Sequence, residues 1–164
     1  MKIQNVNLKM QNDNVTCKII SLFSVFCFLC ISAVYAEEGV QEVRPNGMVK
    51  IDITLNTQGE TVNVISGKVL YDEELFNFEM ADESKSVVSI WIDKFGRESG
   101  VVRYAGMIPG GYVGDSVFIA SLLFRAKQAG AGTIATHETR AFRNDGEGTE
   151  ISLPSSTFVV KVSK

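Results

Sequence analysis

The chain has 164 residues, with 16 basic and 19 acidic side chains, one histidine and three cysteines. A mildly acidic balance argues against nucleic acid and anionic membranes as partners. A single histidine, His137, leaves too few ligands for an ordinary hydrolytic zinc site and no ready Ser-His pair with a positioned third group.

The N-terminus reads as an export signal. Lys2, Lys9 and Lys18 make a positive start, Ile19 to Val34 is an apolar run, and Ala33-Val34-Tyr35-Ala36 sets small residues at −3 and −1. Cleavage is expected after Ala36, giving a signal peptide over 1–36 and one domain over 37–164. The alternatives are an uncleaved anchor, since the run is barely long enough to span a bilayer, and a buried helix. Cys17, Cys27 and Cys30 all lie in this segment, so the mature domain has no disulfide and no thiolate ligand. Phe26 and Leu29 precede Cys27 and Cys30 where a lipoprotein signal needs small residues. Without Lys2, Lys9, Lys18 and Asp13, the charged residues number 13 basic and 18 acidic, a net of −5. A domain of this size buries roughly two-thirds of its unfolded surface and needs no staple.

Glu37 to Met48 is a polar lead-in, with Pro45-Asn46-Gly47 as its turn. Val49 to Leu55 alternates strictly, with Val49, Ile51, Ile53 and Leu55 on one face. Asn56 to Glu60 is a polar loop. Thr61 to Tyr71 is a second strand: Ile65, Gly67, Val69 and Tyr71 form one face, and Val64, Ser66, Lys68 and Leu70 the other. That second face is mixed rather than polar, as a partner-binding surface is. Leu75, Phe76 and Phe78 return the chain to the core after Asp72-Glu73-Glu74, a stretch short enough for one helical turn.

Val87 to Ile92 carries the only tryptophan, Trp91, and Asp93 to Gly100 reads as a charged turn. Val101 to Met107 is a further strand. Pro109-Gly110-Gly111 and Gly114 supply turn chemistry, because proline fixes φ and glycine accepts positive φ without a Cβ penalty. Val117 to Ala126 is apolar on both alternating sets, which predicts a central strand with Phe124 in the core; a buried helix is the rival. Gly132 to Glu138, Arg140 to Arg143 and Thr157 to Val162 complete the strands. Many short strands and no useful helical period predict an all-β sandwich.

Weighed singly, the remaining motifs are weak. Asp72, Glu73 and Glu74 are a solvated turn more readily than a glycosidase pair. Asn144-Asp145-Gly146-Glu147-Gly148-Thr149-Glu150 offers oxygens but lacks the spacing of a calcium loop, and reads as a turn. Leu153-Pro154-Ser155-Ser156-Thr157 is a poor match to a wall-sorting signal. Trp91, Tyr71, Tyr104 and Tyr112 could stack on sugar rings, although aromatics of a sandwich are more often core. No cofactor and no metal is expected.

Three segments taken together resemble the cohesin family. They are Gly67 to Phe76, with its aromatic-Asp pair and apolar return; Pro109 to Gly114 with Phe118 to Ala126 and the Lys127 to Gly130 turn; and Asn144 to Thr149. The resemblance covers about residues 46–163. It implies a nine-stranded jelly-roll β-sandwich that is secreted to the extracellular space or cell surface, is not an enzyme, and binds a dockerin-type module on another protein. Kinship with carbohydrate-binding modules makes direct polysaccharide binding the alternative, and a structural surface module the second alternative. The partner-binding residues carried over are Val64, Ser66, Lys68, Arg103 and Gly106, on adjacent strands. Val64 and Ser66 stand where dockerin-reading members present Asn and Asp outward. Arg103 and Gly106 stand where a hydrophobic residue and a Glu are common. Gly106 is out of step with Arg103 by period two, so sharing that face requires a strand end or a bulge.

Overall fold

The computed structural model describes residues 40–163, so the expected export segment lies outside the described residues. Ten strands follow in chain order: β1 (Gln41–Val43), β2 (Met48–Leu55), β3 (Val62–Tyr71), β4 (Phe76–Asp82), β5 (Ile90–Glu98), β6 (Val101–Tyr112), β7 (Val117–Ala126), β8 (Gly130–Arg143), β9 (Glu150–Ser152) and β10 (Thr157–Val162). They form two sheets. The larger runs β1-β10-β8-β3-β6-β5 with β9 on β8, and the smaller runs β2-β7-β4.

The core lies between them and follows from alternation. Val49, Ile51, Ile53 and Leu55 of β2 join Leu122, Phe124 and Ala126 of β7 and Phe76 and Phe78 of β4 on one side. Ile65, Val69, Val102, Tyr104, Ile134, Val160 and Val162 come from the other. Phe124 is fully buried, with its ring 5.2 Å from Tyr71 and 5.5 Å from Phe78. β7 is therefore a strand and not a helix, and both of its alternating sets are apolar because a bulge shifts its phase: between Ile53↔Ala120 and Thr54↔Phe118 β7 carries one residue more than β2, so Val117 and Ile119 are buried together with Ala120, Leu122, Phe124 and Ala126, while Arg125 is exposed.

Several boundaries differ from the sequence reading, each because pairing overrode local composition. Residues 41–43, within the polar lead-in, pair parallel to β10. Phe76 to Asp82 is a strand on β7 rather than a helical turn. Most of the charged stretch 93–100 is strand β5, and its turn is confined to the end, where Gly100 has φ 72°. Pro109-Gly110-Gly111 does not end its strand. Gly110 and Gly111 adopt φ 82° and 76° inside β6, where the pairing jumps from Val64↔Met107 to Val62↔Tyr112. The two short strands expected after Gly132 are one, β8, interrupted by a bulge at Glu138 (φ 49°). The strand count is thus ten among the described residues rather than nine.

Candidate docking face

β3 is the axis of the larger sheet, paired with β6 on one side and β8 on the other. Its inward set, Ile65, Gly67, Val69 and Tyr71, is buried; Val64, Ser66 and Lys68 are half-buried and Leu70 is exposed, so this second set faces solvent. Val102, Tyr104 and Ile108 of β6 are likewise buried, which leaves Arg103, Ala105 and Met107 outward beside β3.

The register builds two rows across this face. Met107 is the partner of both Ile90 and Val64, and Val64 is also the partner of Phe142. An apolar row, Ile90-Met107-Val64-Phe142, thereby crosses β5, β6, β3 and β8. Ile90 is 49% exposed and Met107 38%. The second row is polar: Lys68 is the partner of both Arg103 and His137. Like charges directly opposite repel, and acids at the margins offset them. Glu98 lies 2.7 Å from Arg103, Glu138 2.5 Å from Lys68, and Glu150 3.6 Å from Arg140.

Glu138 reaches Lys68 because of the bulge. Between Ser66↔Arg140 and Lys68↔His137, β8 carries one residue more than β3, and that extra residue keeps Glu138 exposed beside His137. The Lys68 ammonium bonded to it holds the Glu138 carboxyl below its ordinary value, with His137 and Arg140 adding to the effect. Where the two strands fall out of step, a shallow depression of ≈ 230 Å³ opens. Ser66, Lys68, Arg103, Glu138 and Arg140 line it, with Gly67 and Tyr104 beneath.

Of the residues named from sequence, Val64, Ser66, Lys68 and Arg103 share this outer face. Gly106 does not. It is buried on the inward side, and a Cβ there would lie 3.0 Å from the Ile90 carbonyl and meet Val88 and Trp91. Neither a strand end nor a bulge turns it outward; the period-two mismatch with Arg103 stands. Sequence reasoning missed Met107, which the spacing from Arg103 contained. It also missed Ile90, Arg140 and Phe142, which no local signal places, because they reach the face through pairing. Most aromatic sugar-binding candidates point elsewhere: Tyr71 and Tyr104 are core, and Trp91 packs on Phe95 at 4.9 Å against it. Tyr112 is exposed. The turn 144–148 is held by its own groups, with Asp145 accepting a hydrogen bond from the Glu147 N–H at 2.9 Å.

No family model and no curated protein matches the chain. Solved structures do. A cohesin module from a family 33 glycoside hydrolase of Clostridium perfringens superposes with TM-score 0.64 at 15% identity, over 74% of this chain and 90% of that one. The sixth cohesin of Acetivibrio cellulolyticus scaffoldin B, solved in complex with a Cel5 dockerin, gives 0.61 at 12%, over 76% and 94%. A non-cellulosomal cohesin from the archaeon Archaeoglobus fulgidus gives 0.61 at 12%, over 77% and 88%. The chain therefore has a cohesin-like fold.

Proposed function

We propose that this cohesin-like sandwich is a non-catalytic binding module, and that the outer face of β8-β3-β6-β5 docks a dockerin-like module carried by another protein. The observation that carries the reading is the apolar row Ile90-Met107-Val64-Phe142 crossing four strands beside a row of charges, exposed at Ile90 and Met107 and half-buried at Val64 and Phe142. A stable interface combines such an apolar centre with a polar rim, and a standard one covers ~800 Å² per partner. Similar folds solved with dockerins bound support the class of partner. Within the face, Val64 supplies apolar contact, while Ser66, Lys68 and Arg103 supply polar contacts. Gly106, being buried, serves only by admitting Trp91 and Val88 against the strand.

The signal-like order at 1–36 supports export, with a mature chain starting at Glu37 and acting outside the cell or on its surface in an extracellular assembly. Intact mass of the protein recovered from culture medium tests this; a mass that retains residues 1–36 overturns it.

Docking is tested with Val64→Asp and Met107→Asp, singly and together, against a dockerin-like module captured from the same culture. Buried charge at the centre of an interface is costly, so binding should weaken by about tenfold or more while circular dichroism is unchanged. Undiminished binding by the folded double variant removes this face as the site.

A further inference from the structure

We infer that two copies of this chain pair through the row Ile90-Met107-Val64-Phe142, laid against itself about a two-fold axis between Met107 and Val64. The inference shares its face with the docking reading but does not need a dockerin-like partner. Its first ground is charge. Each cation beside the row already has a carboxylate of its own: Lys68 has Glu138, Arg103 has Glu98 and Arg140 has Glu150. These pairs sum to zero in a chain whose net charge is −3. Two such chains repel as wholes, and this face lets them meet without setting like charges together.

The second ground is how the row divides the face. On one side stand the paired ions, with Lys68 four residues past Val64 and Arg103 four residues before Met107. On the other side the residues are uncharged. Pro109 and Asn144 lie two residues past Met107 and Phe142, and both are exposed. Asn63 donates to the Asn144 side chain at 2.9 Å, and Asn144 donates to the Gly110 carbonyl at 3.2 Å. The row has four members, so its centre lies between Met107 and Val64. Half a turn about that centre sets Ile90 opposite Phe142 of the second copy, and Met107 opposite its Val64. The same rotation lays the uncharged half of each copy over the ion-paired half of the other. Ions then meet amides, which both donate and accept, and apolar residues meet apolar residues. A surface complementary to itself in this way is what an isologous dimer requires. Four strands ~4.8 Å apart span only about 14 Å, so the interface is smaller than the standard ~800 Å² per copy and the dimer is weak. Pairing covers the row, so a dimer and a complex through that row exclude each other.

Sedimentation equilibrium of the purified protein at rising concentration, up to about 1 mM, should show a monomer–dimer equilibrium that salt barely alters. Ile90→Asp/Met107→Asp, at two exposed positions, should weaken association at least tenfold with circular dichroism unchanged. Val64→Asp and Met107→Lys should each weaken it alone, and an equal mixture of the two should recover it, because the rotation sets the new acid against the new base. No dimer at that concentration, a dimer that dissolves in salt, one undiminished in Ile90→Asp/Met107→Asp, or a mixture that regains nothing overturns the pairing. Each of these leaves the docking reading to its own test against a dockerin-like module, which fails only if the folded Val64→Asp/Met107→Asp variant binds that module normally.

Discussion

Gly67 and Tyr104 are register partners on β3 and β6, and the tyrosine hydroxyl occupies the space a side chain at position 67 would take. A Cβ built on Gly67 would lie 2.5 Å from the Tyr104 Oη and 2.7 Å from its Cζ. The ring cannot easily yield. It is 2% exposed and stacks on Phe95 at 6.0 Å, which in turn packs on Trp91. The missing side chain at 67 is therefore what lets the aromatic cluster reach beneath the proposed docking face.

Gly67→Ala should destabilise the fold by about 1–3 kcal/mol, the usual cost of forcing atoms into a packed core. Combining it with Tyr104→Leu should cost less than the two changes summed, because they share the same space. Chemical denaturation of the four proteins of the cycle measures this, and strict additivity contradicts the contact.

Phe124→Ala should cost about 3–5 kcal/mol, because Tyr71 and Phe78 cannot collapse into the space the ring vacates. That is a large share of a typical ~5–15 kcal/mol stability. An unchanged denaturation midpoint would remove Phe124 from the core.

Alkaline pH should destabilise the protein through Tyr104. Burial pushes its hydroxyl up to about 12 from 10.0, with the Thr139 hydroxyl pulling the other way. The folded value exceeds the unfolded one, so the stabilisation is intact below pH 10 and is lost as pH rises through about 12. Denaturation followed against pH should show stability falling over that window in wild type. In Tyr104→Phe the fall over that window should be smaller. Identical profiles sink the assignment.

Acid acts on the turn 144–148. A hydrogen bond from the Thr149 side chain, followed by the Glu147 N–H, holds the Asp145 carboxyl below its ordinary 3.8. A depressed carboxylate stabilises the fold above its unfolded value and loses that contribution as pH falls through the folded value. Asp145→Ala should therefore be slightly less stable than wild type near neutrality, and the difference should close as the pH falls below 3.8. A constant difference across that range refutes the charge-linked role.

Much of the fold was legible because alternation is a local property. Val49 to Leu55 shows its inward set in its own residue types, and the structure buries all four inward residues. The two faces of β3 were also readable, since Ile65, Gly67, Val69 and Tyr71 are separated from Val64, Ser66, Lys68 and Leu70 by period two alone. The run of β7 announced a central strand for the opposite reason, since its residues are apolar on both alternating sets.

The proposed docking face was legible only on the strand where that rule suffices. Arg103 and Gly106 were both carried over by likeness; the period keeps Arg103 on that face, and would add Met107, but it turns Gly106 to the other side. Pro109-Gly110-Gly111 misled because glycine at positive φ serves a bulge inside a strand as well as a turn that ends one. Glu138 gave no warning, since nothing in its neighbours requires a left-handed residue there.

By itself, then, the sequence determined the class of the fold, the strand faces and the buried aromatic centre, because burial selects residue type position by position. Only the tertiary structure decided which outward residues are neighbours. Ile90, Met107, Val64 and Phe142 are far apart along the chain and meet through the register of three strand pairings, and Lys68 meets Glu138 through one bulge. Register is set by the summed packing of two whole sheets, so no local stretch of sequence holds enough of that energy to specify it.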